Sequence, residues 1–218
     1  MKHEDSLRER LIDVGVDLVM TEGTASLGLR EIARRAGVSH GAPRRYFPTH
    51  HALLSAIARR GFADLEVRFT AAADGTTSPR GQLQEIGRAH VGYALEHRGM
   101  FELMFRHDLL DSETHPSDQS QLRDSTLPLF KLIVELIVRL RREQAAARRP
   151  GASRNPDPPP AVTAAALWSN LHGLAQLWAW GSLQLALDAS PPGEDPGGGH
   201  LDRLVAAVLD AHLGPVNS

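Results

Sequence analysis

The chain has 218 residues, enough for a sizeable core in one or two domains, with a net charge of −2 and no cysteine. The missing thiols exclude disulfides, zinc–thiolate centres and cysteine nucleophiles, and they fit a reducing compartment, so the expected location is the cytoplasm. The opening MKHEDSLRER is charged throughout and lacks the apolar core of a secretory signal.

Helical periodicity runs along the whole chain, and no alternating run is long enough for a strand, so the expected fold is all-α. Leu7, Leu11, Val14, Leu18 and Val19 form an apolar stripe that predicts a first helix over 5–21, stopped near Gly23. Leu29, Ile32, Ala33 and Ala36 predict a short second helix, with Gly37 at the left-handed cap position. A third helix, capped by Ser39, is expected to run through Tyr46. Pro43 fits there if it falls in the first turn, where its missing N–H has no intrahelical partner. Thr49 is placed to cap a fourth helix, whose inward stripe is Leu53, Leu54, Ile57, Ala58 and Phe62.

ADGTTSPRGQ, residues 73 to 82, breaks the pattern and sets the expected boundary between domains at 1–72 and 80–218. Helices are predicted beyond it near 82–98, 100–110, 117–147, 161–188 and 200–213. The Pro- and Gly-rich stretches 148–160 and 190–199 read as loops. Ala161 to Leu187 carries no charge and exceeds the roughly 20 residues of a membrane span, but Ser169, Asn170, His172, Gln176, Ser182 and Gln184 recur along it. A buried helix shared between subunits is the better reading, with no membrane partner. Leu167, Leu171, Leu174, Trp178 and Leu185 form one stripe there, and Leu201, Leu204, Val205, Val208 and Leu209 form another on the last helix. Both are expected at a homodimer interface.

Charge is distributed unevenly. Residues 1–62 hold ten Lys/Arg against seven acids, or +3, and the remainder holds fourteen against nineteen, or −5. Within 28–62, seven arginines accompany Glu31 alone, so a polyanion is the expected partner of this end. Two short helices joined at Gly37 and followed by a longer one have the layout of a helix-turn-helix, which sets its second helix into the major groove of double-stranded DNA.

LREIARRAGVSHGAPRRYFPTHHALL, residues 29 to 54, resembles the DNA-binding domain of the TetR family of transcriptional regulators through Ile32-Ala33, Ala36 to Ser39, Gly41, Phe47 and Leu53-Leu54. LWSNLHGL, residues 167 to 174, is similar to the Trp-x-x-x-His-Gly signature of the C-terminal domain in one branch of that family. The resemblance implies a motif over about 28–47 and DNA contacts from Arg30, Ser39, His40, Gly41, Ala42, Pro43, Arg44, Arg45, Tyr46 and His50. It also implies a homodimeric repressor that leaves a palindromic operator when a small-molecule effector binds the C-terminal domain. Candidate pocket residues are Phe101, Met104, Phe105, His107, Trp168, His172 and Trp178, since methionines and aromatics suit an adaptable apolar cavity. The chain departs from the family pattern at Gly28 (usually Thr or Ser), Arg44 (Tyr), Tyr46 (His) and His50 (Lys).

Other readings are weaker. GVSHG, residues 37 to 41, matches Gly-x-Ser-x-Gly, but the nucleophile elbow needs a strand before it and here an arginine-rich helix precedes it. Eleven histidines include no His-Glu-x-x-His and no Glu-x-x-His. His90 and His97 are seven apart, a spacing that allows a shared helix face, and read as a partly exposed or hydrogen-bonded pair, and His172 is expected to be structural. No catalytic, cofactor or metal residues are therefore assigned. The alternative to a DNA-binding regulator is a helical protein-interaction module that binds an acidic partner through the same basic face.

Overall fold

A computed structural model describes residues 2–106, 110, 116–147, 157–187 and 199–215, with backbone alone at 2–6 and 116–123. The described residues contain helices and turns and no strand. The helices are α1 (Lys2–Glu22), α2 (Leu29–Arg35), α3 (His50–Asp74), α4 (Pro79–Glu96), α5 (Arg98–Phe105), α6 (Pro116–Ala146), α7 (Pro160–Ala179), α8 (Ser182–Leu187) and α9 (Gly199–Leu213). Short 3₁₀ segments lie at Thr24–Ser26 and Ala42–Arg45. The chain forms two compact units, Met1–Leu65 with Glu96–Leu127, and Glu66–Leu95 with Pro128–Ser218.

In the first unit α1, α2 and α3 converge on Gly15, where a Cβ would stand 2.3 Å from Cδ1 of Ile57 and 3.8 Å from that of Ile32. Leu11, Leu18, Ile32, Ala33, Leu53 and Ile57 are fully buried, so the stripes expected on these helices face one core. The turn after α2 follows from Gly37. Its φ of +67° lies in the left-handed region, and the N–H groups of Gly37 and Val38 reach back to the carbonyls of Arg34 (3.2 Å) and Ala33 (3.0 Å). This is the paired helix-stop that only glycine enters without strain. Gly37→Ala is expected to lower stability by about 1 kcal/mol in denaturant unfolding, the scale of the left-handed penalty. An unchanged midpoint would show that the turn adopts another conformation.

The third helix expected over 39–46 is shorter than the pattern implies. A single 3₁₀ segment occupies Ala42–Arg45, and neither Ser39 nor His40 caps it through a side chain. Pro43 is the physical reason: it lacks an N–H and biases Ala42 away from helical geometry, so regular helix cannot propagate back to Ser39. The segment closes through the Pro43 carbonyl, which accepts from the N–H groups of Tyr46 (3.0 Å) and Phe47 (2.8 Å). Thr49 caps α3 as expected, its Oγ1 3.0 Å from the Ala52 N–H.

α5 belongs to this unit. Gly99 lies so close to α1 that an added Cβ would meet the Val19 carbonyl at 2.3 Å. Met100 and Met104 cover Gly61, and Phe62 meets Phe105 edge-on at 5.6 Å.

In the second unit Gly87 of α4 receives Val205 of α9 and Leu171 of α7. Arg80 donates to the Leu209 carbonyl (3.1 Å) and pairs with Asp210, while Arg88 pairs with Asp202 (2.8 Å) and Glu85, so α9 is clamped to α4 at two levels. The helix expected over 161–188 is interrupted. α7 ends at Ala179, and Gly181 turns the chain with a φ of +79° into the short α8. Gln184 then ties α8 back by donating to the Trp178 carbonyl at 2.8 Å.

Candidate nucleic-acid interface

The helix-turn-helix segment separates its arginines into two groups. Glu31 accepts from Arg34 (2.9 and 2.5 Å) and Arg35 (2.8 Å), and Arg35 also reaches Glu22 at 2.6 Å. The hydrogen bonds from Arg34 and then Arg35 hold the Glu31 carboxyl down to about 2. Arg60 pairs with Glu9. The excess of +6 counted along 28–62 is thus reduced by acids from α1 that lie outside that window. Arg30, Arg44 and Arg45 are exposed, and among the described residues they have no carboxylate partner. Arg44 and Arg45 sit side by side at the end of the 3₁₀ segment, against the half-buried Tyr46.

The remaining candidate contacts fall into distinct environments. Ser39, His40 and Gly41 are exposed, and Ala42 is half-buried. Gly41 has ordinary backbone angles (φ −86°, ψ −15°) and nothing within 4 Å of the place a Cβ would occupy. Neither the backbone nor the packing of the chain itself therefore requires glycine there. Pro43, expected on the DNA face, is buried instead, because the turn packs its ring inward while its carbonyl closes the segment. His50 is only half-exposed, and its Nε2–H donates to the Leu27 carbonyl at 2.5 Å, so the ring pins the start of α3 to the loop before α2. Gly28, in the position of the usual hydroxyl residue, caps α2 without a side-chain bond. Phe47 is buried and carries the Arg8 guanidinium 5.4 Å from its ring centroid.

With this geometry in view, the comparisons decide the family. Residues 11–57 match the model of the bacterial regulatory proteins of the tetR family, and residues 83–194 match the tetracyclin repressor-like C-terminal domain, which alone spans more than half the chain. The chain belongs to the TetR family. Members of the family are transcriptional regulators with a helix-turn-helix that binds DNA, and this chain is one of them. A protein of unknown function from Rhodococcus sp. RHA1 is similar over 95% of this chain and 93% of its own, at 28% identity and a TM-score of 0.69. PfmR, a TetR family transcriptional regulator of Thermus thermophilus, is similar over 96% and 100%, at 17% and 0.61. FadR of Thermus thermophilus, a TetR family repressor solved with lauroyl-CoA, is similar over 97% and 96%, at 23% and 0.60. No curated protein matches the sequence.

The residues expected to line one effector pocket divide between the two units. Phe101 and Met104 are buried in the first, where the Phe101 ring lies tilted at 58° to that of the half-buried Phe105, 4.9 Å between centroids. They form core between α3 and α5. Trp168, His172 and Trp178 are in the second, and His107 lies outside the described residues. Trp168 and His172 join two residues that the sequence reading left out, Phe69 and His90. The His90 ring lies 4.5 Å from Trp168, 6.0 Å from His172 and 6.3 Å from Phe69. His90 thus lies among the rings of Trp168, His172 and Phe69 in its own unit. The signal was the inward stripe Leu83, Ile86, His90 and Ala94 on α4.

Burial, and secondarily the neighbouring His172, pushes the His90 imidazole down to about 3, and burial lowers His172 as well. A histidine held neutral in the fold contributes stability that is intact above the unfolded value of 6.5. That stability is lost as the pH falls toward 3, because only the unfolded chain takes up the proton. Between pH 7.5 and pH 5 the loss from His90 is expected to reach about 2 kcal/mol. In denaturant titrations at the two pH values, His90→Leu should lose correspondingly less, and an equal loss in both proteins would refute the assignment.

Among the described residues no three His, Asp or Glu side chains converge on a metal-sized site, and no helix is long and apolar enough to cross a membrane.

Proposed function

We propose that this regulator acts as a homodimer on a two-fold symmetric operator and leaves it when a small molecule occupies its C-terminal domain. The observation that carries the DNA reading is the division of the arginines. Arg34 and Arg35 are neutralised by Glu31 and Glu22, while among the described residues Arg30, and Arg44 and Arg45 next to Gly41 in the chain, have no carboxylate to hold them. Such cations lower their energy most on phosphate or guanine. Gly41 supports the same reading, since a residue with open space around it has a reason to lack a side chain when a duplex approaches. Gly41→Leu is therefore expected to leave the thermal midpoint within about 1 °C, as surface changes do. It should weaken duplex binding in a gel shift at least tenfold. Binding unchanged by the leucine would remove the duplex from this face.

The effector reading rests on Trp168 and His172, half-buried beside His90 and Phe69 in the second unit. FadR's lauroyl-CoA makes acyl ligands one class to test.

The dimer reading needs a different face from the one the sequence stripe gave. Leu167, Leu171, Leu174 and Val205 are buried in their own unit, so they already have cover, and Leu185 stands 87% exposed beyond the break at Gly181. The opposite face of α7 carries Val162 and Leu177, exposed at 55 and 41%, and Trp180 follows at its C-cap, 62% exposed. Ala165, Ser169 and Gly173 lie between them at helical spacing. Val162 and Trp180 are about five turns apart and hence in line. Together with the half-buried Leu201, Leu204 and Val208 on α9, this face is a large apolar surface suited to a second copy.

A further inference from the structure

A cleft of about 300 Å³ opens in the second unit where the C-terminal ends of α6 and α9 meet the start of α7. Its floor and walls include Leu140, Ala166, Ala211 and Leu213, and its polar groups are Arg141, Thr163, Gln144, His212 and Asp157. Neither the DNA-binding face nor the His90 and Trp168 cluster shares a residue with it.

Arg141 is the informative group. It is half-buried and oriented by two neutral acceptors, with Nη1 donating to the Pro158 carbonyl at 2.6 Å and Nη2 to the Thr163 hydroxyl at 2.7 Å. Two of its five N–H groups are thereby used, and no described carboxylate pairs with it. Arg80 and Arg88, which tie α4 to α9 in this unit, both end on acids, while Arg139 reaches the Gln82 amide oxygen at 3.2 Å. A guanidinium fixed in direction, partly withdrawn from water and beside an apolar wall is the arrangement that binds a carboxylate carrying a hydrocarbon body. His212 adds a directed donor, because its Nε2 accepts from the Asn170 amide at 2.7 Å and its hydrogen must then sit on Nδ1. Gln144 already donates to the Leu213 carbonyl at 3.2 Å.

We infer that this cleft is a binding site for a small apolar monocarboxylate, held at its charged end by Arg141 and along its body by Leu140, Ala166 and Ala211. Asp157 sets the limit on charge. It is exposed at the rim, repels a second negative group, and so excludes dicarboxylates and phosphorylated ligands. Val162 lines the cleft and also belongs to the exposed α7 face assigned to the second copy, so the site must accept its ligand in whatever assembly the full chain forms.

The test is calorimetric titration of the full-length protein with 4-methylpentanoate, and with 4-methylpentanamide as the uncharged match. Saturable binding of the acid, with the amide at least tenfold weaker, is expected below about 10 mM, within the range open to a ligand of this size. Arg141→Gln should weaken the acid at least tenfold. Because that change also removes the bonds to Pro158 and Thr163, Ala211→Leu supplies a second variant that fills the cleft without touching Arg141, and it should abolish binding. Asp157→Asn should tighten the acid several-fold. The inference is overturned by any of three results: no saturation with the acid, equal affinity for acid and amide, or binding that survives Ala211→Leu.

Discussion

Replacing Arg44 and Arg45 together with alanine is expected to lower affinity for the operator about a thousandfold while leaving the fold intact. Each dimer would lose four cations, and a contact of this type contributes about 1 kcal/mol or more, so the sum is about 4 kcal/mol or three powers of ten. The fold should not notice. Both side chains are exposed, and the bonds that close the 3₁₀ segment run from the Tyr46 and Phe47 amides to the Pro43 carbonyl. Single variants then assign the roles. If Arg44 holds phosphate, in place of the tyrosine usual in the family, Arg44→Ala should weaken specific and nonspecific duplexes alike and lower the salt slope by about one unit per head. If it reads guanine, preference at one base pair should relax by about 1 to 3 kcal/mol with the slope unchanged, and the phosphate assignment fails. Near-normal affinity in the double variant would mean that these arginines do not face DNA.

Leu171→Asp and Leu177→Asp, six residues apart on α7, are expected to fail in opposite ways. Leu171 is 3% exposed and lies against Gly87 of α4, so an aspartate there would be an unpaired buried charge costing about 3 to 5 kcal/mol. That is comparable with the whole stability of many domains, and the second unit should unfold. Leu177 is 41% exposed on the other face. Its aspartate should leave circular dichroism and the thermal midpoint nearly unchanged and convert dimer to monomer in light scattering. Operator affinity should fall with it, because two linked heads bind far more tightly than one. A folded, dimeric Leu171→Asp protein would contradict the burial of this face. A dimeric Leu177→Asp protein would move the interface elsewhere.

This contrast shows where sequence reasoning reached and where it stopped. Periodicity places Leu167, Leu171 and Leu174 on one face of α7, but it does not say what covers that face. An uncharged helix has two apolar sides, and packing against Gly87 and Val205 decides which of them is spent inside the unit. The turn at Gly37 was legible because its cause is local: a short amphipathic run ends at a glycine that then takes a positive φ. The short 3₁₀ segment was less so, since Pro43 could be accommodated in a regular first turn and the chain adopts a tighter one. The neutralisation of Arg35 depends on Glu22, 13 residues away, and the meeting of His90 with His172 spans more than eighty. Such pairings follow from tertiary packing and leave little trace in local spacing.

Selection of bound duplexes from a random DNA pool by the purified chain tests the central claim most directly. The account predicts enrichment of one two-fold symmetric sequence with half-sites about one helical turn or more apart, centre to centre, retained by the native protein and lost in the Arg44→Ala, Arg45→Ala variant. A pool that stays random, or one that the double variant enriches equally well, would contradict it.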